Sequence, residues 1–204
     1  MGLRAVFFDV GETLVDETSM WAAWADTLGI PHFTFMAVLG GVIARGEHHD
    51  RVIEILAPGF EPNFEDERFG LEDFYPDAVP CLERMRGAGF LVGVAGNQSG
   101  HLEKVMRGLD LPVDVIASSD SLGAEKPSPV FFQRLSEMAG FTTEECAYVG
   151  DRLDNDVLPA REAGMMGVFL KRGPWAHLHS RDVATSRPDV RIESLDELPD
   201  ALPS

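Results

Sequence analysis

Four short segments of this chain hold residue types that could do chemistry together: Asp9, Gly96-Asn97, Glu125-Lys126-Pro127 and Gly150-Asp151. Asp9, Gly96-Asn97 and Gly150-Asp151 lie just beyond apolar runs that read as β-strands and a loop leads from a fourth run to Glu125-Lys126-Pro127, and in open α/β sheets ligands bind at the carboxyl ends of the strands. One lysine and several carboxylates are therefore expected on one rim. Taken singly, each has a plainer reading, Asp9 as a turn or helix cap and Lys126 as a surface lysine. The combination in one frame favours a site.

The charge balance says what such a site must overcome. Asp and Glu total 34 against 17 Lys and Arg, a formal charge of -17. A surface of that sign repels nucleic acid and anionic lipid, so neither is an expected partner. It also repels an anionic substrate at long range, so an anion site here needs a metal, a lysine or helix amino-termini to make it locally attractive.

The elements that would position these residues can be read from periodicity. Leu3 to Phe8, Phe90 to Ala95, Val113 to Ala117, Ala147 to Val149, Gly167 to Leu170 and Val190 to Ile192 are short apolar runs of strand character. Segments 99–108, Pro76 to Ala88 and Ser128 to Ala139 carry apolar residues at helical spacing. Strands alternating with helices argue for a parallel sheet covered on both faces.

Between the first strand and the second lie about seventy residues without a strand-like run, broken at Gly29-Ile30-Pro31 and Pro58-Gly59. The expectation is an α/β fold with a Rossmann-like core formed by residues 1–15 and 76–204, and a helical cap of three or so helices at 16–75. Phe33 to Ala44 reads as a buried helix, being too short and too glycine-rich to span a bilayer. Cys81 and Cys146 are the only cysteines and suggest free thiols in a reducing cytoplasm.

The ordered segments FFDVGETL, VAGN, EKPSPVFF and YVGDRLDNDVLPAREAGM resemble the four motifs of the haloacid dehalogenase-like hydrolase superfamily, in its subgroup with a small helical cap. The resemblance implies a phosphatase acting on a small phosphorylated molecule. Asp9 would be the nucleophile, forming an aspartyl-phosphate, and Lys126 the charge clamp on Asp9 and the phosphate. It further implies a magnesium ion held by Asp9, the backbone carbonyl of Gly11 and Asp151, with Asp156 close by or bound through a metal-held water.

Two positions depart from that pattern. Gly11 stands where such phosphatases usually carry a second aspartate as general acid/base, and Glu12 is the expected substitute. Gly96 stands where a Ser or Thr hydroxyl would meet the phosphate, leaving its backbone N–H and the Asn97 amide. Two alternatives follow: a catalytically degenerate binding protein of the same fold, or a metal-independent dehalogenase-type hydrolase. A phosphonate-cleaving enzyme, which would resemble relatives using a cap lysine, is disfavoured because residues 16–75 contain no lysine. His48-His49 and His177-x-His179 lack the spacing of a persuasive zinc site.

Overall fold

The computed structural model describes residues 2–63, 69–179 and 187–203, without the side chain of His179. Six parallel strands, β1 (Ala5–Phe8), β2 (Leu91–Gly96), β3 (Val115–Ser118), β4 (Cys146–Gly150), β5 (Met166–Leu170) and β6 (Val190–Ile192), lie in the order β3-β2-β1-β4-β5-β6. Because β1 is central, its side chains are buried on both faces, which is why it reads as a continuous apolar run. Val6 and Phe8 enter one core with Val92, Val94, Ala147 and Val149, while Ala5 and Phe7 enter the other with Cys146 and Tyr148.

Helices cover both faces. Numbered in chain order, α4 (Ala78–Gly87) sends Cys81, Leu82 and Met85 into the first core, and α7 (Pro129–Ala139) sends Phe131, Phe132 and Leu135 into the second. Their starts follow ordinary capping chemistry. Ser128 Oγ accepts the Val130 N–H at 3.3 Å, with Pro129 in the first turn of α7, and Ser99 Oγ accepts the Leu102 N–H to open α5 (Gly100–Arg107).

The insertion after β1 carries α1 (Thr18–Leu28), α2 (His32–Ala44) and α3 (Arg51–Leu56). Trp21, Trp24, Phe35, Leu39, Ile43 and Ile53 form a separate apolar cluster there. The chain leaves and re-enters the core side by side: Asp16 N–H donates to Asp73 O at 2.8 Å and Tyr75 N–H to Leu14 O at 2.9 Å. No single described helix is long and apolar enough to cross a membrane.

Two features differ from the sequence reading. The α2 segment is buried on one face only: Phe35 is fully buried but Phe33 is 87% exposed, because a surface helix hides a stripe and not its whole circumference. The region after β5 folds into α9 (Gly173–His179), whose Trp175 joins the insertion's apolar cluster and so links core to insertion.

Candidate active site

β1 and β4 pair in register, Phe8 opposite Val149, and the Asp9 N–H donates to Val149 O at 2.9 Å. Asp9 and Asp151 therefore leave neighbouring strand ends at the centre of the sheet. A single π-helical turn, Leu153–Val157, follows and turns Asp156 back toward them; Asp156 Oδ2 accepts the Arg152 N–H at 3.0 Å. Such turns recur at functional sites. Lys126 arrives from the loop before α7 and is clamped through its main chain by Asn97. The Lys126 N–H donates to Asn97 Oδ1 at 2.7 Å, and Asn97 Nδ2 donates to Lys126 O at 2.8 Å.

The side chains converge. Lys126 Nζ lies 2.7 Å from Asp9 Oδ1 and 2.6 Å from Asp156 Oδ1, with Lys126 3% exposed and Asp156 fully buried. Burial opposes the lysine's charge, but Asp156 and Asp9 outweigh it and hold its pKa well above the ordinary value. Asp151 is pushed toward its neutral form instead. Burial, then Asp156 and Asp9, raise its pKa well above the usual carboxylate range, and among the described residues its Oδ2 has no hydrogen-bond partner.

Asp9, Asp151 and Asp156 each bring a carboxylate oxygen within 4.8 Å of the others. A buried carboxylate oxygen without a donor is costly unless a cation takes it. Hard oxygen ligands in a cluster are the donor set that magnesium takes, so these residues fit that ion. Asp156 differs from the other two in having one oxygen on Lys126 and the other on a backbone N–H, which suits it to fix the lysine beside the ion. His48, His49 and Asp50 form a second such group among the described residues. There burial lowers the His49 pKa to about 4 and keeps the ring neutral. His177 is exposed, and the His179 side chain lies outside the described residues.

The two glycine departures acquire a steric meaning. A Cβ on Gly96 would stand 2.8 Å from Asp9 Oδ1, so the Asp9 carboxylate occupies the room a larger residue would need. A Cβ on Gly11 would stand 2.1 Å from Glu17 Oε1. Glu17, which the sequence reading did not single out, thus fills the space over Gly11. Glu12 points elsewhere. Its φ of 53° lies in the left-handed region, and its buried carboxylate accepts the Tyr75 hydroxyl at 2.8 Å and the Glu17 N–H at 3.1 Å. Burial raises its pKa.

Above these groups opens a cleft of about 700 Å³ between the sheet ends and the insertion, lined by Asp9, Glu17, Trp21, Lys126, Asp151 and Trp175 among others. Among the described residues Arg152 is the other lysine or arginine on its wall, paired with Asp154 at 2.8 Å and 5.5 Å above the Trp175 ring. Of the remaining arginines with candidate substrate roles, Arg45 and Arg51 pair with Glu47 on the insertion surface, and Arg172 pairs with Asp77 beneath Tyr75. Trp24 does not reach the cleft.

A doubly wound parallel sheet with a buried acid-lysine site at the ends of its central strands is an α/β enzyme architecture of the Rossmann-like class. Within that class the chain belongs to the haloacid dehalogenase-like hydrolase family, whose profile matches residues 3–164. A glyceraldehyde 3-phosphate phosphatase of Methanopyrus kandleri is 29% identical, over 98% of this chain and 97% of the relative. Among solved structures, a magnesium-bound HAD-hydrolase of Bacillus subtilis superposes with a TM-score of 0.72 at 19% identity, covering 98% of both chains. A dehalogenase solved with an intermediate complex gives 0.71 at 21% identity, covering 100% of this chain and 99% of that one. The two superpositions establish the fold.

Proposed function

We propose that this hydrolase is a magnesium-dependent phosphatase of small phosphorylated molecules, with Asp9 as nucleophile, residues 1–15 and 76–204 as catalytic core and 16–75 as cap. The observation that carries the reading is Asp151 Oδ2, buried and without a donor among the described residues, beside Asp9 and Lys126. A buried carboxylate oxygen of this kind is costly unless a cation takes it. The near full-length likeness to a phosphatase supports the same reading.

In this proposal Asp9, Asp151 and the Gly11 carbonyl, with Asp156 alongside, would hold the ion, which would supply Lewis-acid neutralisation of the phosphate. A free Asp9 oxygen attacks phosphorus and the ester P–O bond breaks, leaving an aspartyl-phosphate. Lys126 holds the other Asp9 oxygen and balances charge that builds up in an acid-rich cleft. Water then attacks phosphorus, releasing inorganic phosphate and regenerating Asp9. Gly96 offers its N–H to the phosphate, whereas the Asn97 amide is spent on fixing the Lys126 main chain.

The test is phosphate release from a panel of phosphorylated metabolites with magnesium, beginning with glyceraldehyde 3-phosphate, alongside Asp9→Asn. Turnover that needs both magnesium and Asp9 is the expected result. Binding of magnesium and beryllofluoride with no turnover would favour the degenerate binding protein, and metal-independent turnover of a haloacid would favour the dehalogenase.

A further inference from the structure

We infer that the alcohol released from the phosphate carries an ammonium group, received at Asp50 beside Trp21 and Trp175, so that the substrates are phosphate monoesters of amino alcohols. The inference rests on the phosphatase reading and names the substrate class of the same cleft. Its first ground is the charge of the wall beyond the reacting groups. Lys126 is taken up by Asp9 and Asp156, and Arg152 by Asp154. The wall still carries Asp16, Asp50, Asp73, Asp120 and Glu125, and among the described residues that line it no further lysine or arginine answers them.

Asp16, Asp73 and Asp120 each accept a backbone N–H, from Thr18, Gly70 and Gly100. A bond of that kind orients a carboxylate and leaves its charge in place. Asp16, Asp50 and Asp73 come from the insertion, Asp120 and Glu125 from the core, so both sides of the cleft have the same sign. A carboxylate on the leaving group is repelled by such a wall, and a cation is drawn in. Arg152 does not reverse this. Asp154 holds it in a fork, Nε to Oδ1 at 3.2 Å and Nη2 to Oδ2 at 2.8 Å, and cancels its charge.

The second ground is aromatic. Trp21 of α1 and Trp175 of α9 both line the cleft and both meet the His49 ring edge-on, with centroids 5.6 and 6.0 Å away. Asp50 Oδ1 lies 3.3 Å from His49 Nε2 and Asp50 Oδ2 lies 3.4 Å from His48 Nδ1, with the Asp50 side chain 40% exposed. An accessible carboxylate therefore stands beside this aromatic row. Aromatic faces attract organic cations through their quadrupole. The Trp175 ring already does so, since the Arg152 guanidinium carbon lies 5.5 Å from its centroid. An alkylammonium finds both of its natural partners at this end of the cleft, a carboxylate and indole rings.

Three esters of nearly equal length test this on the wild-type enzyme with magnesium: 2-aminoethyl phosphate, 2-hydroxyethyl phosphate and phosphoglycolate, which end in an ammonium, a hydroxyl and a carboxylate. The amine should exceed the neutral ester in kcat/KM by about tenfold or more, with phosphoglycolate the poorest of the three. Rising ionic strength should narrow the amine's advantage. Equal rates on all three, or a preference for phosphoglycolate, overturn the inference. Asp50→Lys reverses the charge at the point of contact. It should cut kcat/KM on the amine about tenfold, chiefly through KM, and raise it on phosphoglycolate, a gain that damage to the fold does not give. Equal losses on all three esters, at a wild-type melting temperature, count against it. Asp50→Asn keeps the shape and should narrow the preference for the amine; an unchanged preference overturns the inference even if the lysine variant does not fold. Cleavage of p-nitrophenyl phosphate through Asp9 without release from the amine overturns the inference and spares the phosphatase reading. Release from none of the four esters removes both.

Discussion

Lys126 Nζ stands 2.7 Å from Asp9 Oδ1, a cation and the candidate nucleophile joined at the end of the central strand. Asp156 Oδ1 holds the same nitrogen at 2.6 Å, and that nitrogen lies over the Tyr148 and Phe131 rings. The lysine neutralises one carboxylate of the cluster and leaves the rest in excess, which is the arrangement a divalent cation completes.

Removing that lysine should therefore cost stability as well as turnover. Lys126→Met leaves Asp9 and Asp156 buried without their partner, a loss of about 3–5 kcal/mol. Urea denaturation in magnesium-free buffer should show it. A change under about 1 kcal/mol would mean that the pairing contributes little to the fold.

Asp151 makes the opposite prediction for the metal-free protein. An acid whose folded pKa is raised favours the protonated form, so its stability contribution is intact at low pH and is lost as pH rises above the ordinary value of 3.8. The neighbouring Asp156 loses its share between 3.8 and about 6. In thermal melts without metal, Asp151→Asn should thus gain on wild type as pH rises from 4 to 7. Magnesium should raise the wild-type melting temperature and leave that of the variant unchanged; equal magnesium shifts in both proteins would refute this.

At position 96 the missing hydroxyl is expected to be beneficial. Gly96→Ser places a Cβ 2.8 Å from Asp9 Oδ1, forcing the carboxylate off its contact with Lys126. Misplacement by about 1 Å can cost about 10² in rate, so kcat should fall by that order with little change in melting temperature. A gain in activity would show that Asp9 can shift freely.

The Tyr75 hydroxyl anchors Glu12 at a distance from the chemistry. Tyr75→Phe leaves Glu12 Oε2 short of its donor and should lower stability by about 1–3 kcal/mol. Urea denaturation of the variant beside wild type checks this, and an unchanged midpoint would mean that the Tyr75 hydroxyl contributes nothing to the fold.

Within α2, Phe33 and Phe35 should separate cleanly. Phe35→Ala opens a cavity in the cap cluster and should cost about 3–5 kcal/mol. Phe33→Ser, at an exposed position, should stay within about 0.5 kcal/mol. Denaturation midpoints decide the matter.

Local patterns carried the strands and helices of the core. Burial on both faces of a parallel sheet leaves continuous apolar runs, so β1 to β6 were readable to within about two residues, and the acids and lysine just beyond them could be named. α9 was not legible, because Gly173-Pro174-Trp175 shows no period before Trp175 finds its place among the cap aromatics. Nor was the π-helical turn, which is defined by how Asp156 meets Lys126 and the Arg152 N–H and not by a preference of Leu153–Val157.

What the residue order alone determined is the cast: a parallel α/β fold, an insertion after the first strand, Asp9 and Asp151 at strand ends, and Lys126 and Asp156 in the segments that follow strands. Strand periodicity and residue type depend on near neighbours, and those are written in the chain. Which oxygen faces which atom was decided only in three dimensions. Glu12 is adjacent to Gly11 but is turned away by a left-handed backbone, while Glu17, six residues on, folds back over it. A hydrogen bond is short-ranged and directional, so proximity along the chain says little about it until the turn has closed.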